Sequence, residues 1–174
     1  MASGRRDALI LGAVGVAAAA AGALAGVFAL QARSGAAELL AARFTDLEGR
    51  SRRLLEWQGT ALLCNFWATW CAPCREEVPL LVAAKQKGLP PRVELVGIGI
   101  DHADKIRQFA QSYKINYPVL IADATAVALL RGLGNKGGGL PYTVALDRTG
   151  AVVARHLGAV KEAELRQLLA SLVG

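Results

Sequence analysis

The chain has 174 residues, of which 53% are hydrophobic and 20% are charged, and its formal net charge is +6 at pH 7. This length is enough for one domain with a real core and a short additional segment. Charges of both signs are mixed along the chain, and no nucleic-acid motif or aromatic stacking platform stands among the basic residues. The composition therefore indicates a single-domain protein that does not bind nucleic acid.

Residues 8–32 form an uncharged run rich in Ala and Gly, long enough to cross a hydrocarbon core about 30 Å thick as a helix. Arg5 and Arg6 precede the run, so the positive-inside rule predicts residues 1–7 in the cytoplasm and the rest outside it. The letters "ALA" at residues 23–25 match what a signal peptidase cleaves, so a cleaved signal stays an alternative to a transmembrane anchor. Residues 33–43 are expected to connect this segment to the domain.

From residue 44 onward, strand and helix patterns alternate. Residues 44–54 predict a hairpin, and "ALLCNFW" predicts a central strand because it has no polar alternation. Cys71 is expected to begin a helix over Ala72–Lys87 with Pro79 inside it, and Asp101 is expected to cap the next helix. The later elements are predicted at "RVELVGIGI", "YPVLIA", "TAVALLRGLG", "YTVALD", "AVVARHLG" and a helix over 161–172. This order predicts an α/β domain over 44–174, with a mixed central sheet and helices on both faces.

Cys71 and Cys74 lie two residues apart, directly after the predicted central strand. Zinc needs four ligands, and the other Cys and His residues (Cys64, His102, His156) show no ligand spacing. A disulfide that closes so short a loop adds little stability. A helix N-terminus, by contrast, stabilises a thiolate at Cys71, and Cys74 lies one turn further on. The pair is therefore predicted to be a redox centre, with Pro73 fixing the backbone between the two cysteines.

The segment "NFWATWCAPCREEVPLL" resembles the active site of the TlpA/ResA-like branch of the thioredoxin superfamily. The members of this branch are membrane-anchored thiol-disulfide oxidoreductases. The resemblance covers residues 44–172 and includes "GLPYTVALDRTGAVV". It implies a thioredoxin-like fold, a cis Leu140–Pro141 bond and a carboxylate at Glu77 that tunes the cysteines. It also implies that protein substrates bind a surface made by Trp70, Ala72, Pro73, Leu140 and Pro141.

Two features of this site leave alternatives open. Glu76 and Glu77 could form a solvated acidic pair with no chemical role. Where thioredoxin has a buried acid on the strand before the motif, this chain has Asn65, which cannot accept a proton. Any acid–base help at Cys74 must then come from Glu77 or from water.

The resemblance implies a disulfide reductase in the periplasm, a monomer on the bacterial inner membrane with no cofactor beyond its redox-active disulfide. Its substrates would be cysteines of apocytochrome c, of copper sites or of other exported proteins, and a membrane thiol reductant would supply electrons. Alternatives are a disulfide-forming oxidase and a copper metallochaperone that adds a His ligand to Cys71 and Cys74. A thiol peroxidase would need an activating Thr and Arg around the attacking Cys, and Thr69 alone does not supply them.

Overall fold

The structure, a computed structural model, describes residue 26, residues 35–123 and residues 126–173. Across these residues, no helix combines the length and the apolar character needed to span a bilayer. The run 8–32, predicted to be an anchor or signal, lies outside the described residues except for Gly26.

Seven strands form one mixed sheet in the order β2-β1-β5-β4-β3-β6-β7. Strands β3, β4 and β5 are parallel, whereas β1, β6 and β7 run antiparallel to their neighbours. The strands are β1 (Phe44–Asp46), β2 (Ser51–Arg52), β3 (Ala61–Trp67), β4 (Val93–Ile100), β5 (Val119–Ala122), β6 (Tyr142–Leu146) and β7 (Val152–Leu157). The predicted hairpin is present, because β1 and β2 pair across the turn that contains Gly49.

The helices cover both faces of the sheet. They are α1 (residues 35–41), α2 (Ala72–Lys87), α3 (Ala103–Ser112), α4 (Ala126–Gly132) and α5 (Glu162–Val173). Buried residues of α1 and α4 share one core cluster, and those of α2, α3 and α5 form the clusters of the opposite face. The α/β fold with a mixed sheet and two helical layers is confirmed.

Strand β3 lies in the middle of the sheet, and every one of its residues is buried. Its side chains alternate between the faces: Leu62, Cys64 and Phe66 join the cluster of α1 and α4, whereas Leu63 and Trp67 join the clusters of α2, α3 and α5. A strand covered on both sides needs apolar residues at every position. The one exception in β3 is Asn65, which is fully buried.

Helix α2 has the predicted bounds and contains Pro79. It ends at Gly88, whose φ of 97° suits glycine and few other residues. The predicted cap of α3 is wrong: the N-cap residue is His102, and no side chain caps this helix. The Asp101 carboxylate instead accepts a hydrogen bond from the His102 N–H at 2.7 Å.

Candidate active site

Cys71 and Cys74 are joined by a disulfide at the N-terminus of α2. Cys71 is the N-cap residue, and its sulfur accepts a hydrogen bond from the Cys74 N–H at 3.3 Å. Cys71 keeps 6% of its surface exposed, whereas Cys74 has none. Of the two cysteines, only Cys71 has any exposed surface. The helix N-terminus, with the Cys74 N–H directed at the Cys71 sulfur, stabilises negative charge on that sulfur.

Apolar residues surround the disulfide on its open side. Trp70, directly before Cys71, is 68% exposed, which is unusual for so large an apolar side chain. Ala72 and Pro73 are exposed as well. The Leu140–Pro141 bond is cis, and Leu140 packs against the buried cluster that contains both cysteines. The structure thus places the residues of the expected substrate surface at one end of the sheet, where Leu140 is half-buried and Pro141 is buried.

Glu77 lies three residues after Cys74, and it is buried, with only 2% of its surface exposed. The Val160 N–H donates to its Oε2 at 2.7 Å, and the Asn65 Nδ2 donates to its Oε1 at 2.8 Å. Burial raises the pKa of the Glu77 carboxyl to about 7, and these two hydrogen bonds oppose the increase. Glu77 is therefore not part of a solvated acidic pair, although Glu76 is exposed.

Asn65 and Thr143 form a polar connection that the sequence did not predict. The two residues face each other across β3 and β6, and the Asn65 Nδ2 donates to the Thr143 Oγ1 at 3.0 Å. Both are fully buried. The available signal was a single polar residue inside each of two apolar strands, "ALLCNFW" and "YTVAL", because a buried polar side chain requires a partner. Sequence alone gives no means of identifying that partner.

The residues considered for other chemistry are engaged elsewhere. The Thr69 hydroxyl donates to the Asp101 carboxylate, and the Arg75 Nε donates to the Tyr113 hydroxyl at 3.4 Å. His102 is the N-cap of α3, and His156 lies on β7 opposite Thr143. Among the described residues, no group of three or more His, Cys, Asp or Glu side chains is arranged to hold a metal ion. These positions provide no support for a peroxidase or a metallochaperone.

A thioredoxin-like sheet with a Cys-x-x-Cys disulfide at the start of a helix defines a thiol-disulfide oxidoreductase. The profile of the AhpC/TSA family matches residues 35–169. The chain is 32% identical to thioredoxin-like protein YneN of Bacillus subtilis, over 71% of each chain. It is 30% identical to thiol-disulfide oxidoreductase ResA of Bacillus anthracis, over 72% of this chain and 70% of the relative.

The fold of a thiol:disulfide interchange protein from Chlorobium tepidum is also similar, with a TM-score of 0.66 and 25% identity, over 76% of this chain and 93% of that chain. The chain belongs to the AhpC/TSA family of thioredoxin-like proteins, and its TlpA/ResA-like character is confirmed.

Proposed function

We propose that this oxidoreductase is a disulfide reductase of the bacterial periplasm. The observation that carries the proposal is the buried carboxyl of Glu77, one helical turn after Cys74. With a pKa of about 7, raised by burial, this carboxyl can accept a proton near neutral pH and return it afterwards. The dipeptide Ala72–Pro73 supports the same direction, since it lacks the His that strong oxidants of this superfamily often carry between their cysteines.

The reaction begins from the reduced pair. The Cys71 thiolate attacks one sulfur of a substrate disulfide, so that a mixed disulfide forms and the other substrate sulfur leaves as a thiolate. The buried Cys74 thiol then loses its proton to the Glu77 carboxylate and attacks the Cys71 sulfur. This step closes the Cys71–Cys74 disulfide and releases the second substrate thiolate. Two electrons pass from the protein to the substrate, whose thiolates take up protons from water.

The exposed Trp70, with Ala72 and Pro73 beside it, would contact one side of the bound substrate chain. Leu140 and the cis Pro141 would contact the other side. Proline has no N–H of its own to compete, so the Leu140 backbone before it would pair with an extended segment of the partner. Such a surface recognises an unfolded or flexible peptide around a cysteine, and not a small molecule.

The proposed cellular location is based on the sequence of the N-terminal segment. Residues 8–32 would hold the domain at the inner membrane as a single-pass anchor or deliver it as a signal, with residues 1–7 in the cytoplasm and the domain over 44–174 in the periplasm. Apocytochrome c, copper-site proteins or other exported proteins with paired cysteines would be substrates. A membrane thiol reductant would restore the dithiol of a monomeric enzyme whose only redox group is its disulfide.

The reduction potential of the Cys71/Cys74 couple tests the direction of electron flow. The detergent-solubilised chain is equilibrated against glutathione and dithiothreitol buffers, and the fraction of disulfide is measured by thiol labelling. We expect a value near or below that of thioredoxin, about −270 mV. A value near that of DsbA, about −120 mV, would contradict the reductase and make the chain a disulfide-forming oxidase.

A trapping variant tests the substrate class. Cys74→Ser leaves Cys71 to attack but removes the group that resolves the mixed disulfide, so covalent complexes should accumulate and can be identified by mass spectrometry. Adding Cys64→Ala to this variant is the matched control and should not change the trapping. Burial raises the pKa of the Cys64 thiol to about 12 and leaves it unreactive. Complexes with apocytochrome c or copper-site proteins would support the proposal. Complexes that persist when Cys71 is also replaced would refute it.

A further inference from the structure

Asn65 is the only polar side chain that β3 contributes to the core. Its side chain points to the face covered by α2, where the cross-strand neighbours are Thr143 on β6 and Gly97 on β4. The Nδ2 atom donates to Glu77 Oε1 at 2.8 Å and to Thr143 Oγ1 at 3.0 Å. Both amide hydrogens are thus used, and two acceptors on different elements fix the plane of the amide.

This geometry favours the ionised form of Glu77. A buried carboxylate is costly unless N–H groups point at its oxygens, and a hydrogen bond to a charged group is stronger than one between neutral groups. Val160 supplies a backbone N–H to Oε2, and Asn65 supplies the N–H to Oε1. Of the two, only Asn65 donates from a side chain, so it can be changed without altering the backbone.

Apart from Asn65 and the Val160 amide, the groups that face Glu77 do little to stabilise its negative charge. Cys74 lies one turn earlier on α2, and the buried Tyr117 hydroxyl precedes β5 and makes no hydrogen bond within the described part of the chain. Burial raises the pKa of Tyr117, and the negative charge of Glu77 raises it further, so this hydroxyl stays neutral. Asn65, Thr143 and the Val160 amide, which come from the other elements in contact, do not titrate.

We propose that Asn65, oriented by Thr143, is the positioning residue that stabilises the ionised carboxylate of Glu77 and fixes its direction. The residue that replaces thioredoxin's buried acid on the central strand then acts as the donor for an acid placed on the helix instead. The link to Cys74 rests on the proposed function, whereas the link between Asn65 and Glu77 does not.

The test is a pH titration of Glu77 in the oxidised full-length chain. The infrared band of its protonated carboxyl is assigned by the loss of that band in Glu77→Gln. Asn65→Leu removes the donor at similar volume, and we expect the pKa of Glu77 to rise by at least about one unit, a tenfold gain in proton affinity. Thr143→Val should give a smaller rise, because the amide keeps its bond to Glu77 but loses its second acceptor.

Tyr117→Phe is the matched control, since it removes a buried hydroxyl from the same region without removing a hydrogen bond to Glu77. It should leave the titration unchanged. A folded Asn65→Leu chain with an unshifted titration would overturn the proposal. If Asn65→Leu does not fold, Asn65→Ala removes the donor with a smaller side chain and adds no titratable group. The pKa of Glu77 should rise in this variant as well, and an unshifted titration would overturn the proposal equally.

The rate of mixed-disulfide resolution against pH gives the second readout. Its midpoint should move upward in Asn65→Leu and should not respond to this change in a Glu77→Gln background. An equal response in both backgrounds would show a general loosening of the sheet and would overturn the positioning role. A shifted titration with an unchanged rate profile would keep the link between Asn65 and Glu77, and would instead refute Glu77 as the proton acceptor of the proposed function.

Discussion

Glu77 couples the stability of the fold to pH. Burial raises the pKa of its carboxyl from the usual 4.5 to about 7. Between these values the folded chain holds a proton that the unfolded chain has released, so the contribution of Glu77 to stability is largest at low pH and is lost as pH rises from about 4.5 to about 7. The corresponding loss in the free energy of unfolding is about 3 kcal/mol. This conversion from the pKa is appropriate because the carboxyl is shielded from solvent.

Urea unfolding at several pH values measures this loss. The midpoint for the parent chain should decrease between pH values of about 4.5 and 7, whereas Glu77→Gln, which cannot ionise, should lose most of that decrease. The comparison uses the slope with pH and not the absolute stability, since Gln also places an N–H group where the carboxylate accepts a hydrogen bond. If the urea midpoints of the two chains changed equally with pH, Glu77 would be excluded as the source of the pH dependence.

The sequence predicted the chemistry of single residues better than their partners. The spacing of Cys71 and Cys74 indicated a redox pair, because the helix N-terminus stabilises a thiolate through local geometry. The contacts of Glu77 depend on residues far along the chain: Thr143 is 78 residues from Asn65, and Val160 is 83 residues from Glu77. Such contacts depend on strand order and register, which no local pattern contains.

Strand β4 and helix α3 approach each other closely at Gly99, where β4 faces Ile106 of α3. A Cβ atom at Gly99 would lie 2.9 Å from Ile106 Cδ1 and 3.2 Å from Ile106 Cγ1. Ile106 is fully buried, so it has no room to move away. We expect Gly99→Ala to lower the free energy of unfolding by about 1–3 kcal/mol through overpacking.

Gly137→Ala is the control for this substitution, because no atom lies within 4 Å of the Cβ it would add. Denaturant titration should leave its midpoint close to that of the parent chain. If Gly99→Ala were as stable as the control, α3 would have to sit further from the sheet than the structure places it.

The strands and helices matched the predictions from the sequence where a single physical rule determined them. The apolar run "ALLCNFW" became the central strand, and α2 kept its predicted bounds because Cys71 begins it and Gly88 ends it. The capping prediction at Asp101 failed because the strand and the helix are joined by one residue more than expected. The cis Leu140–Pro141 bond came from the family resemblance alone, since a local sequence favours trans.

The order of strands places the site. Strand β3 has β4 as its parallel neighbour on one side and β6 as its antiparallel neighbour on the other. The chain leaves the C-terminal end of β3 toward Cys71, and it enters β6 from the cis Pro141 at the same end of the sheet. In open α/β sheets, ligand sites form beyond the carboxyl ends of the parallel strands. Here that edge holds the disulfide, Trp70 and Leu140.

The position of the whole molecule relative to a membrane can be tested directly. Residues 8–32 carry no charge, and Arg5 and Arg6 precede them. We expect the full chain to stay in the membrane fraction after carbonate extraction, and protease added to spheroplasts should digest the domain over 44–174. A chain lacking residues 1–32 should be soluble and protected inside the cell.

The same fractions distinguish an anchor from a cleaved signal by mass. An intact N-terminus in the membrane fraction would establish the anchor, whereas a soluble periplasmic chain beginning after residue 25 would establish the signal. Reversing the charge at Arg5 and Arg6 to Glu should reduce export in either case, because the positive-inside rule orients the first apolar segment. A domain that stays cytoplasmic in the parent chain would refute the periplasmic setting. The assignment of thiol-disulfide exchange to Cys71 and Cys74 would remain, and the pair would then work in a compartment that contains glutathione and thioredoxin.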